Sequence, residues 1–242
     1  MAFRNAQQAR AYVGILGASC YTRNLAVDAT NDVLDITTIC DTDKRFIVGQ
    51  NTSSVSIDGP LDDSAASNGQ WDALTDQKQA TTPTPITIMP LGADGAAWLF
   101  EADETNLSTT TGAGSTIDWS MTAQTTGVTD LAGVVIENNT TITDTANGTA
   151  DTGPVGGTAN GAVAHLHITA FATVTSDTIT IEGSTSGAFA GEETTVFTFA
   201  AATGLTSERV EVTGTVPRYL RVVDTVVGGA GSVTRTVAVS RR

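Results

Sequence analysis

Two histidines, His165 and His167, are the only imidazoles in this 242-residue chain. Their spacing in AHLHITA places two side chains on one face of a β-strand. Such a pair could seed a zinc site, but catalytic zinc takes three protein ligands plus water, and no third ligand stands at a recognisable spacing. The pair therefore reads as the solvent or interface face of a strand whose other face carries Ala164, Leu166 and Ile168. Acids gather in three stretches: Asp41 and Asp43 in CDTDK, Asp58, Asp62 and Asp63 in SIDGPLDD, and Glu101, Asp103 and Glu104 in EADE. None follows the twelve-residue calcium loop with its closing glutamate, so they read as solvated acidic turns. Nucleophilic catalysis has no footing, because no GxSxG is present and neither Cys20 nor Cys40 has a histidine nearby in sequence. Carboxylates brought together from distant strands could hydrolyse glycosides, yet sugar clefts are lined by aromatics and this chain is only 5% aromatic. Glycine stretches such as GGTANG and VVGGAGS precede no helix and read as turns, not phosphate cradles. An enzyme is not expected, and no metal and no cofactor is called for.

The charge narrows the partners. With 26 Asp plus Glu against 12 Lys plus Arg the formal charge is −14. A surface of that sign repels nucleic acid and anionic lipid, although a conduit to which DNA must not stick would want it. A saline habitat would also explain an acidic, lysine-poor surface. No run of eighteen apolar residues exists, and the first residues lack the apolar core of a signal peptide, so neither membrane nor Sec export is expected. Two cysteines are too few for a disulfide scaffold and read as thiols of a protein made in a reducing cytoplasm.

The elements that must position these residues are strands. Threonine is the commonest residue, valine and isoleucine are plentiful, and the 24 glycines supply turns. Apolar and polar residues alternate over Leu25–Ala29, Val55–Ile57, Ile86–Ile88, Ile117–Ala123, Val134–Ile136, Ala162–Thr175, Thr178–Ile181, Val196–Phe199, Arg209–Val212, Arg218–Val223 and Val233–Val239. The spacing predicts an all-β fold, barrel or sandwich, with one short helix over SAASNGQWDALTDQK, where Trp71 and Leu74 stand three apart behind Asp62, Asp63 and Ser64. Asn138 to Gly161 holds almost nothing that could fill a core. The expected organisation is a β-barrel or sandwich domain over 1–145, a linker or long loop over 146–160 and a C-terminal β-sandwich over 161–242.

The segment LDITTICDTDKRFIVGQNTSSVSIDGPLDD, with AFRNAQQARAYVGILG before it, resembles the major tail protein, or tail tube protein, of long-tailed (siphovirus-like) bacteriophages and related archaeal tailed viruses. That family places an N-terminal strand with a V-G step before a loop of the form LDxTTxGDxxKxFxxG and a strand reading SxSxxGxxD. Downstream, IEGSTSGAFAGEETTVFTFAAATGLTSERVEVTGTVPRYLRVV is similar to the β-sandwich module of a common variant, which ends in ERVEVxGTVxRYLR. The resemblance covers nearly the whole chain. Cys40 stands where the pattern usually has glycine, and Ile39 where it often has an aromatic residue.

The resemblance implies a virion structural protein with no chemistry of its own. Six copies close a ring whose inner sheets merge into one barrel, and rings stack into a tube through which viral DNA passes without specific binding. Other implied partners are the tape measure, terminator and tail-tip proteins. The protein would be made in the host cytoplasm and reside in the virion tail, with the C-terminal sandwich on the tube exterior. Candidate subunit-interface residues are Asp35, Thr37, Thr38, Asp41, Asp43, Lys44, Arg45, Phe46, Ile47 and Gly49, on a long hairpin arm. There the charges would pair across ring interfaces while Phe46 and Ile47 anchor in a neighbour's apolar groove. On the C-terminal module Arg218, Tyr219 and Arg221 are candidate surface residues, with Arg218 and Arg221 expected to pair with Glu208 or Glu211 or to contact host sugars. Two alternatives are a carbohydrate-binding or adhesive module using Trp71, Trp98 and Trp119, and another virion role as tail-tip or capsid-decoration protein.

Overall fold

The computed structural model describes residues 9–62, 70–92, 95–113, 115–127, 129–143, 156–228 and 231–242. The fold is all-β: fourteen strands form an eleven-stranded and a three-stranded sheet, with a single α-helix among the described residues. The first half contributes β1 (Arg10–Val13), β2 (Leu16–Gly17), β3 (Asn24–Asp35), β4 (Phe46–Pro60), α1 (Gln70–Lys78), β5 (Thr84–Met89), β6 (Ala96–Thr110), β7 (Asp118–Thr125) and β8 (Asp130–Ile142). The second half contributes β9 (Ala162–Ala172), β10 (Ser176–Ser184), β11 (Thr194–Thr198), β12 (Thr206–Val212), β13 (Tyr219–Val227) and β14 (Ser232–Arg241). Of the linker expected over 146–160, residues 146–155 lie outside those described, as do Asp63 and Ser64 of the expected helix cap.

Alternation builds two cores. In the first, Val55 and Ile57 of β4, Phe100 and Ala102 of β6, and Trp119, Met121 and Ala123 of β7 point inward onto Leu74 of α1 and Ile86 and Ile88 of β5. In the second, β9 supplies Ala164, Leu166 and Ile168, which pack on Ile179 and Ile181 of β10, Phe197 of β11 and Leu220 and Val222 of β13. A smaller cluster of Tyr12, Met89, Leu99, Val163 and Ala238 joins the two cores. β8 pairs along its length with β14, so the large sheet runs continuously from the first half of the chain into the second.

Three glycines of the tail-protein pattern have local reasons. Gly14, in the V-G step, has φ of 55° and opens the two-residue turn between β1 and β2, a position where a side chain is strained. Gly49 and Gln50 together face Asp32 at a bulge in the β3–β4 ladder. At Gly59 the strand passes so close to the 3-10 turn Ala18–Tyr21 that a Cβ would lie 1.9 Å from the Tyr21 carbonyl oxygen.

The acidic stretch EADE is not a turn. Glu101, Asp103 and Glu104 lie within β6, whose charges interrupt the alternation that would have marked it as a strand. Asp58 is likewise inside β4, accepting a bond from Asn24 Nδ2 at 2.9 Å.

Candidate functional site

β3 and β4 pair in register from Asn24–Asp58 out to Asp35–Phe46, but β7 covers β4 only over Ser54–Pro60. Beyond that point the hairpin is a two-stranded ribbon, an arm with no layer on either side among the described residues. Its ladder sets Val33 opposite Val48 on one face and Leu34 opposite Ile47 on the other. Val33 is 61% exposed, Val48 66% and Phe46 54%, and Leu34, Ile36, Ile39 and Ile47 are also open to solvent. A two-stranded ribbon is marginal in water by itself, and exposed apolar groups in this number are unusual on a solvated surface.

The tip is organised by its own polar groups. The Thr37 amide donates to Asp35 at 2.9 Å, and Thr37 Oγ1 accepts from the Arg45 amide at 2.9 Å. The Asp41 carboxylate accepts from the amide and hydroxyl of Thr38 at 2.8 and 2.9 Å and pairs with Arg45 at 3.5 Å. These bonds hold both carboxyls below the usual range: the Thr37 side chain and amide act on Asp35, the Thr38 amide and side chain on Asp41. The threonine pair and Asp35 and Asp41 of the pattern thus shape the loop, while Asp43, Lys44, Phe46 and Ile47 are exposed along it.

Arg218, Tyr219 and Arg221 gather at one end of the sandwich, with the Arg218 guanidinium 5.0 Å from the Tyr219 ring centroid. Arg221 pairs not with Glu208 or Glu211 but with Glu182 at 2.7 Å and Glu193 at 3.7 Å, and covers the Phe189 ring. The register of β10 with β13 places Glu182 directly opposite Arg221, a neighbour that linear sequence does not reveal. Trp119 is buried, with its indole donating to the Pro60 carbonyl at 3.2 Å, so the three tryptophans form no common exposed platform.

His165 and His167 do not face solvent. Both are fully buried between β9 and β5, where Thr87 Oγ1 lies 3.1 Å from His165 Nδ1 and 2.8 Å from His167 Nε2. His167 Nδ1 is 2.7 Å from the Gly14 carbonyl, which can only accept, so Nδ1 carries the proton and Nε2 accepts from the threonine. The Thr87 oxygen then accepts from His165 Nδ1, which leaves His165 Nε2 an acceptor with no hydrogen-bond partner. Burial holds His165 well below the usual histidine range and His167 at about 4, so both are neutral polar links between the two halves. Among the described residues no cluster of three or more His, Cys, Asp or Glu could hold a metal.

A charged cluster inside the sandwich is invisible in the sequence. Arg235 of β14, fully buried, pairs with Glu137 of β8 at 2.7 Å and with Asp224 of β13, and Asp177 of β10 lies 3.8 Å away. Neither Asp177 oxygen accepts a hydrogen bond. Burial, then the charge of Asp224, pushes Asp177 up to about 6, and burial raises Glu137 and Asp224 as well. Because the folded chain holds these protons more tightly than the unfolded one, stability rises as pH falls from 6 toward 4 and is lost on the way back up. Asp177→Asn should therefore raise stability at pH 7.5 by on the order of 2 kcal/mol and flatten that slope, measured by urea unfolding across the range.

No family model matches this sequence, and no curated protein matches it. Among solved structures the chain is similar at low identity to chains of gene transfer agent particles and of a phage. A chain of the virion of a native gene transfer agent particle is 12% identical with a TM-score of 0.43, over 52% of this chain and 97% of that one. A chain of the six-fold symmetric tail of the empty gene transfer agent particle is 11% identical with a TM-score of 0.44, over 54% and 99%. The Dit protein of phage SPP1, described as a hub of the adsorption apparatus in phages infecting Gram-positive hosts, is 10% identical with a TM-score of 0.37, over 95% and 98%.

Proposed function

We propose that this chain is a structural subunit of a virion tail and, more specifically, a tail tube protein whose copies close into hexameric rings that stack around a DNA channel. The observation that carries this reading is the β3–β4 arm, which lies in the segment that resembles the tail tube pattern and presents apolar residues on both faces that no described residue covers. Such a ribbon is marginal by itself in water, and other copies would cover it. Closing a ring of sheets also pairs the open edges that would otherwise aggregate. The excess of acid suits a lumen through which DNA slides, because phosphate-binding cations there would retain it. Tape measure, terminator and tail-tip proteins would be its partners in the virion.

The test is assembly. Purified chain should sediment as rings or tubes and show them in negative stain, whereas deletion of Asp41–Ile47 should give a folded monomer. Tubes formed by the deleted chain, or a full-length chain monomeric at high concentration in every salt tried, would refute the proposal.

A further inference from the structure

We propose that the seam beside β3 is the receptor for the arm of a second copy, tip to base. This deepens the reading of the chain as a self-assembling subunit and rests on it. Among the described residues β3 pairs only with β4, so its other edge is free. Between that edge and β1 lies a groove of about 710 Å³ that opens toward the first core and is lined by Arg10, Arg23, Leu25, Val27, Leu91 and Trp98 among others. Its apolar walls and free strand edge suit an incoming ribbon, which can bury side chains and lend backbone partners at once.

Charge selects the occupant. Among the described residues the groove is lined by two arginines and no acid, in a chain with more than twice as many acids as bases. Arg23 is 54% exposed although it pairs with Asp118 at 3.0 Å, which leaves donors free. The arm from Asp28 to Gly49 carries Asp28, Asp32, Asp35, Asp41 and Asp43 against Lys44 and Arg45, along with the exposed apolar residues. An arm cannot reach the groove at its own base, because the seven steps from Val27 to Leu34 carry the tip about 23 Å away along a paired ribbon. Tip-to-base contact is therefore intermolecular and propagates from copy to copy.

The chain carries its own reporter. Cys20 is exposed in the turn between Ser19 and Thr22 on the rim of the groove, and Cys40 is exposed at the tip of the arm. Docking brings Cys40 of one copy beside Cys20 of the next, so a short bismaleimide should give a ladder of Cys20–Cys40 oligomers that either Cys→Ser change removes.

Charge reversal provides the decisive experiment. A groove variant, Arg10→Glu with Arg23→Glu, and an arm variant, Asp32→Lys with Asp43→Lys, should each stay folded by circular dichroism yet pellet at least tenfold less assembled protein. Mixed one to one they should regain assembly, since each arm then meets an opposite groove, an outcome no folding defect can imitate. Variants that assemble like the parent, a mixture that does not recover, or tubes without Cys20–Cys40 cross-links overturn the groove assignment and leave the tail-subunit reading standing. A parent chain that never leaves the monomer overturns both.

Discussion

Replacing Arg235 by methionine is expected to cost about 3–5 kcal/mol of folding stability at pH 7.5, the usual consequence of removing one partner from a buried charge network. The guanidinium is fully buried and is the only cation in contact with Glu137, Asp224 and Asp177 among the described residues. Methionine fills much of the same volume, so little of the loss comes from a cavity. What remains is carboxylates sealed from water with nothing to neutralise them. The signature is in the pH dependence: the loss should shrink toward pH 5, where these groups take up protons, and urea midpoints at the two pH values would show it. A loss that is the same at pH 5 and 7.5 would mean packing, not charge, is what Arg235 supplies. Substituting all four residues with apolar side chains of similar size should recover most of the stability, because a buried network is seldom better than a well-packed apolar one.

The second large effect is expected at Gly59. A methyl group there would overlap the Tyr21 carbonyl oxygen at 1.9 Å, and the obstacle is backbone, which cannot swing aside. To relieve it, β4 must part from the turn before β3, breaking the 2.7 Å bond from the Arg23 amide to the Asp58 carbonyl. Gly59→Ala should therefore destabilise by about 3 kcal/mol or more, at the upper end for overpacking. Gly204→Ala, where a methyl meets nothing within 4 Å and φ is unexceptional, is the control and should change stability by less than about 0.5 kcal/mol. Equal melting temperatures for the two variants would remove the close approach as the reason for that glycine.

Much of this architecture is legible in the sequence wherever a strand is covered on one face. β4 and β7 alternate cleanly because Val55, Ile57, Trp119, Met121 and Ala123 face a core while the residues between them do not. β6 escaped detection because its charges are accommodated individually. Glu101 pairs with Arg209 of β12 at 3.6 Å, and Glu104 turns inward, where burial raises its carboxyl to about 7. The histidine pair misled for the opposite reason: β9 is covered on both faces, so its polar positions are as dry as its apolar ones. The arm was visible as a charged passage between two strands. That its apolar residues stay uncovered was not, because a run such as Phe46-Ile47-Val48 is the same string whether a sheet lies over it or not.

The place of β14 has a consequence for biosynthesis. It lies between β8 and β9, pairing with residues about a hundred positions earlier in the chain on one side and about seventy on the other. The large sheet cannot close until residue 241 has left the ribosome, and pairings that distant are slow to form. A nascent chain therefore forms its β3–β4 arm, whose two strands are neighbours in sequence, before β14 can join β8 to β9.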